Sequence, residues 1–144
     1  MPRACCIELF VRRLRLAAAL SVMTVSAAAA DACSVPQRSM QQIELMFGRN
    51  IGGQLGVSEA AWSRFLAREV TPRFPDGLSV VNAASQWRDK THGALVREPA
   101  KLVTILTGDE TAARAKIASI VAAYRQQFRQ QSVAVVSRPV CAAF

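Results

Sequence analysis

Hydrophobic periodicity switches repeatedly between strand-like and helical spacing along this chain, and that succession restricts the fold more than any motif. From Gln41 to Phe47 the chain alternates. Ile43, Leu45 and Phe47 fall on one side and Gln42, Glu44 and Met46 on the other, the period of a half-buried strand. Gly48 to Gly56 (GRNIGGQLG) reads as a flexible loop. Ser58 fits an N-cap with Glu59 favourable in the first turn, and Trp62, Phe65, Leu66 and Val70 follow at helical spacing. A helix is therefore predicted over about 58–70, stopped by Pro72. Pro72 to Gly77 is a rigid turn, because two prolines fix backbone angles and Asp76-Gly77 is turn chemistry.

Leu78 to Trp87 is strand-like, Arg88 to Gly93 a hairpin loop, and Ala94 to Leu106 a third strand interrupted at Glu98-Pro99. Gly108-Asp109 opens a long helix capped by Asp109 or Thr107, with Ile117, Ile120, Val121, Tyr124 and Phe128 on one apolar face. Ser132 to Val136 is a last strand. The order β-α-β-β-α-β implies an α+β, ferredoxin-like fold: an antiparallel four-stranded sheet with two helices on one face. Its strand order, 4-1-3-2, sets the last strand antiparallel beside the first.

The first thirty residues do not belong to that pattern. Arg3, Arg12, Arg13 and Arg15 precede a charge-free run from Leu16 to Ala30 that ends in small residues. A basic start, a short apolar run and an Ala-x-Ala site describe a secretory signal peptide. A transmembrane anchor needs about 20 apolar residues, and this run is shorter and rich in Ala, so no stable membrane span is expected. Cleavage is expected after Ala30, with Ala32 as the second choice. A lipid on Cys33 is the weaker alternative, because Ala30 and the charged Asp31 suit a lipid-attachment box poorly. The expected organisation is a signal peptide over 1–30, a polar lead-in over 31–39 and a single ferredoxin-like domain over 40–144. The destination is extracytoplasmic, the periplasm first.

Removing the leader leaves 14 Lys and Arg against 9 Asp and Glu, a net charge of +5 instead of +8. An exported protein rarely meets nucleic acid, so the basic balance points to an anionic small molecule, an acidic polymer or the membrane surface, or to a solvated surface alone. Cys5 and Cys6 leave with the leader. Cys33 and Cys141 remain, an even count in an oxidising compartment, and a disulfide between them is expected. The proposed topology independently brings them together, since Cys33 precedes the first strand and Cys141 follows the last. There is no CxxC, and a single His92 leaves no convincing metal or Cys-His set, so no metal and no cofactor are expected.

Several segments carry a family resemblance: Trp62-Ser63-Arg64-Phe65, Val70-Thr71-Pro72-Arg73-Phe74-Pro75-Asp76-Gly77, Gln86-Trp87-Arg88-Asp89, Glu98, Lys101, Tyr124 and Phe128-Arg129-Gln130-Gln131-Ser132-Val133. On these, residues 44 to 141 resemble a bacterial domain of unknown function, family 3574. Ser85 departs from it, since the resemblance implies Gly before Gln86-Trp87. The resemblance implies exported or lipid-anchored members and supplies no activity.

Candidate chemistry is sparse. The Gly-rich loop lacks the GK[ST] ending of a P-loop and the GxGxxG spacing of a dinucleotide loop. Trp62, Phe65, Tyr124 and Phe128 read as core, and His92 as exposed in a hairpin loop. Arg73 sits between two rigid prolines and presents a planar fork suited to carboxylate or phosphate, or to a structural pair with Glu69 or Asp76. Gln86, Arg88, Glu98 and Lys101 belong to the middle hairpin, and a bulge at Pro99 would bring Glu98 and Lys101 to one face. Arg73, Gln86, Arg88, Glu98 and Lys101 are thus the candidate ligand-binding set.

The favoured reading is a non-catalytic module binding a ligand or partner. The alternative is a small-molecule enzyme in an open sheet-face pocket, with Glu98 as acid/base and Arg73 and Lys101 as anion anchors. A homodimer closing that face is compatible with either. For the leader, N-terminal sequencing of the protein recovered from cells is expected to start at Asp31; an intact Met1 on soluble protein contradicts export.

Overall fold

The alternation of the first apolar segment is realised as strand β1, Arg38–Gly48, whose Ile43, Leu45 and Phe47 are buried while Met46 is exposed. In the computed structural model, residues 33–89 and 91–144 are described. The leader lies outside the described residues, and with it the expected signal peptide and cleavage site. The other long strands are β4 (Ser79–Arg88), β5 (Leu95–Thr107) and β6 (Ala134–Ala142). They pair in the order β4-β5-β1-β6, every neighbour antiparallel. With two helices on one face, this is the expected ferredoxin-like arrangement.

Helix α1, Glu59–Phe65, starts where Ser58 accepts a bond from the Ala61 amide at 3.2 Å. The chain then widens into a π-type turn over Leu66–Val70 and tightens into a 3-10 turn over Thr71–Arg73. Pro72 therefore does not stop the helix as expected. It occupies the first turn of the 3-10 segment, where its missing N–H needs no partner. Helix α2, Glu110–Phe128, is capped by Asp109, which accepts from the Ala112 amide at 2.9 Å, and closes on Arg129 at φ 51°.

The helices meet the sheet through aromatic rings. Tyr124 stands 4.7 Å from Phe47, 5.0 Å from Phe65 and 4.8 Å from Phe128, centroid to centroid, and Trp62 packs at 5.1 Å from Phe47. Truncating one such ring to Ala costs about 3–5 kcal/mol.

Three local expectations need correction. The segment expected to be a flexible loop holds a small hairpin, β2 (Asn50–Ile51) against β3 (Gln54–Leu55), turned by Gly52 and Gly53 at φ 61° and 83°. Two consecutive positive φ values make the two-residue turn that suits a twisted hairpin. Strand β6 runs well past Val136, and Pro139 is tolerated because β6 is an edge strand.

The bulge at Pro99 does not occur either. β4 and β5 stay in register from Ser79 opposite Thr104 to Arg88 opposite Leu95. Pro99 fits without a bulge because β1 pairing ends at Gly48 opposite Ala100; beyond it the Pro99 carbonyl accepts from the Arg49 amide at 3.0 Å.

Cys33 and Cys141 form a disulfide with Cα atoms 5.5 Å apart, tying the lead-in to β6 across 108 residues of sequence. The bond suggests a non-cytoplasmic compartment. No helix among the described residues is long and apolar enough to cross a membrane. Loop-closure entropy for so long a loop is about 4.7 kcal/mol. Cys33→Ser with Cys141→Ser is expected to lower unfolding free energy by about 2–5 kcal/mol in denaturant titrations, and to abolish the effect of reductant on the melting temperature.

Candidate functional site

Cross-strand partners share a sheet face, so the regular register decides which side chains meet. Ser85 opposite Glu98 and Trp87 opposite Val96 lie on the face away from the helices, as do Met46 and Gly48. At one end of this face a cleft of about 610 Å³ opens, lined by Trp87, Glu98, Met46 and Val96 of the sheet, by the β2–β3 hairpin and by Arg129 to Ser132 after α2.

Glu98 is held there through both carboxylate oxygens. Its Oε1 accepts from the Trp87 indole N–H at 2.8 Å and its Oε2 from the Asn50 amide at 3.0 Å. The carboxylate packs where a side chain at residue 48 would be: an ideal Cβ on Gly48 would stand 2.5 Å from Oε1. A side chain at 48 would displace the carboxylate from this position. The neighbouring backbone is fixed from the other side. Tyr124 donates its hydroxyl to the Gly48 carbonyl at 2.8 Å, and Gln130 Nε2 donates to the Asn50 carbonyl at 2.7 Å. Burial raises the Tyr124 phenol far above its ordinary value, so it stays a neutral donor at any physiological pH.

The five candidates of the sequence reading are distributed as follows. Glu98 and Gln86 line the cleft. Arg88 is exposed and donates to the Gly93 carbonyl at 2.6 Å. Arg73 pairs with Glu69, at 2.9 Å to the carboxylate and 2.5 Å to its backbone carbonyl.

Lys101 lies on the helix side of the sheet, buried, donating to Glu59 Oε1 and Asn82 Oδ1 at 2.6 Å each. Without a bulge, residues three apart on a strand face opposite ways, so Lys101 and Glu98 do not meet. Its hydrogen bond, with Arg49 at 3.1 Å adding to it, holds the exposed Glu59 carboxyl below the ordinary value. That contribution is present above the usual carboxylate range and is lost as pH falls through the depressed value.

His92 is exposed as expected, with Nδ1 3.0 Å from Asp89, whose carboxyl this contact and the Thr91 amide hold below its ordinary value. Among the described residues, no three His, Cys, Asp or Glu side chains converge to hold a metal ion.

Gly48, Asn50, Tyr124 and Gln130 were not in the candidate set. Tyr124 and Gln130 belong to segments that carry the family resemblance, but no spacing rule joins Tyr124 to Gly48 or Gln130 to Asn50 across 76 and 80 residues. Gly48→Ala is expected to lower stability by about 1–3 kcal/mol through overpacking against the carboxylate. In a Glu98→Ala background most of that loss should vanish; equal losses in both backgrounds, read by denaturant titration, contradict the contact.

Comparison with known proteins bears on the fold and the family. No curated protein matches the chain. A solved phage SAM lyase in complex with S-methyl-5′-thioadenosine superposes with a TM-score of 0.59 at 16% identity, covering 73% of this chain and 90% of that one. A phage SAM lyase in the apo state gives 0.54 at 16% identity, covering 72% and 84%. At that identity the likeness speaks to the fold alone. A family model matches residues 42–144, and the chain therefore belongs to the family described as protein of unknown function (DUF3574).

Proposed function

We propose that this chain is a small non-catalytic module, exported to the periplasm, that binds a small molecule in the cleft beside Glu98 and Trp87. The observation that carries the reading is the preorganised carboxylate: two neutral donors hold Glu98 at the cleft wall, and the backbone beside it is fixed by Tyr124 and Gln130. The cleft has the size of an ordinary small-molecule site, and it sets polar groups beside the apolar Met46, Trp87 and Val96. The cleft also draws together Gln86 and Trp87 of β4, Glu98 of β5 and Arg129 to Ser132 after α2. A related fold in the phage SAM lyase is found with S-methyl-5′-thioadenosine, which supports a small molecule over a protein as occupant. The disulfide supports an oxidising compartment.

A second reading, a small-molecule enzyme, is favoured by one fact: a carboxylate within the cleft is a group able to accept or deliver a proton. The anion anchors that reading assigned to Arg73 and Lys101 are engaged elsewhere, in pairs with Glu69 and Glu59. The binding module is accordingly preferred.

Native mass spectrometry of the protein recovered from its own compartment tests the reading. A small-molecule adduct is expected on the unaltered chain and should be lost in Trp87→Ala and reduced in Glu98→Gln, with the melting temperatures of the two variants reporting their folding. An adduct retained in full by both folded variants contradicts the cleft as the site.

A further inference from the structure

The charge pairing of the glutamates is uneven. Glu44, Glu59, Glu69 and Glu110 each pair with an arginine or lysine: Arg138 for Glu44, Arg49 and Lys101 for Glu59, Arg73 for Glu69 and Arg114 for Glu110. Glu98 alone among the described glutamates has no such partner among the described residues, although Lys and Arg outnumber Asp and Glu by 14 to 9 once the leader is set aside. Its two bonds come from an indole N–H and a backbone amide, which orient the carboxylate without neutralising it. A carboxylate offers about four lone-pair positions, so roughly two remain for another donor. The half-buried setting screens this charge less than open solvent would.

The surroundings have the same sense. Trp87 makes no ring contact with the aromatic cluster of the core, which is built from Phe47, Trp62, Phe65, Tyr124 and Phe128 on the other sheet face. Its indole lines the cleft with Met46 and Val96. Among the described residues, the other charged groups lining the cleft are Asp89, engaged with His92, and Arg129, which is exposed.

Resting on the reading of this cleft as a small-molecule site, we infer that its ligand is an organic cation, an ammonium centre on an apolar body. The ammonium would be held by Glu98 and the body by Trp87, Met46 and Val96. A carboxylate supplies the hydrogen-bonded counter-charge and an indole is the best aromatic partner for a cation. The positive net charge of the chain would not draw such a ligand from a distance, so selectivity rests on the local pair.

Three probes of one shape separate the charge from the cleft: phenethylammonium, 2-phenylethanol and phenylacetate, each titrated calorimetrically into the full chain and followed by tryptophan fluorescence. Phenethylammonium should bind saturably, at least tenfold tighter than the other two, and lose at least tenfold in Glu98→Gln. Trp87→Leu, which keeps the carboxylate, should weaken it as well, with thermal melts confirming that both variants fold. Tighter binding of 2-phenylethanol or phenylacetate, lost in Trp87→Leu, overturns the cation and leaves the cleft standing. No binding by any of the three overturns the cation and the cleft reading together. Equal affinity of phenethylammonium for the unaltered chain and Glu98→Gln overturns the role given to the carboxylate.

Discussion

The hydroxyl of Tyr124 joins the core of this protein to its cleft. The ring lies within the aromatic cluster between α2, α1 and β1, and the oxygen reaches through to the Gly48 carbonyl at 2.8 Å. A buried phenol must find an acceptor, and leaving it unpaired would cost about 1–3 kcal/mol. The single bond satisfies both groups. It also fixes where β1 ends, and therefore where the chain turns into the β2–β3 hairpin that supplies the Asn50 amide to Glu98. Gly48 is the counterpart of that constraint, since a side chain there would push the Glu98 carboxylate out of its place on the same sheet face.

The same economy of space separates two acidic groups that look alike in sequence. Glu59 sits at the start of α1 and takes charge from Arg49 and Lys101, fastening the helix to the sheet. The buried ammonium of Lys101 is a structural element, since both of its observed bonds go to protein groups and breaking a buried pair is strongly destabilising. Glu98 is held as firmly but by neutral donors, so its charge is left to the cleft. Held in this way, it is already placed for a ligand and needs no reorganisation to bind one, which is the physical content of preorganisation.

The architecture was legible because it rests on local periodicity. Ile43, Leu45 and Phe47 alternate with polar neighbours, Ile117, Ile120, Tyr124 and Phe128 recur at helical spacing, and both sets are buried as their spacing requires. The two cysteines were legible through topology. Elements with little periodicity were not. Asn50–Ile51 and Gln54–Leu55 are too short to show alternation, and β6 carries Ser137, Arg138 and Pro139, so its outer half resembles a loop. The bulge at Pro99 was inferred from proline alone, whereas the missing N–H is absorbed by the end of β1 pairing. In the site, Glu98 and Gln86 were found through the middle hairpin. Tyr124 was read correctly as core, and its second role depends on one hydrogen bond that no pattern of apolar residues encodes.

The central claim is that Glu98 is fixed in the free protein by the Gly48–Asn50 backbone and Trp87, with Tyr124 as the brace. Hydrogen exchange of the Asn50 amide and the Trp87 indole N–H, followed by NMR in ligand-free protein, tests it most directly. Both protons should exchange much more slowly than the amides of Gly52 and Gly53 in the adjacent turn, and Tyr124→Phe should speed the Asn50 amide in particular. Exchange of the Asn50 amide and the Trp87 indole as fast as those glycine amides, unchanged by Tyr124→Phe, would contradict the account.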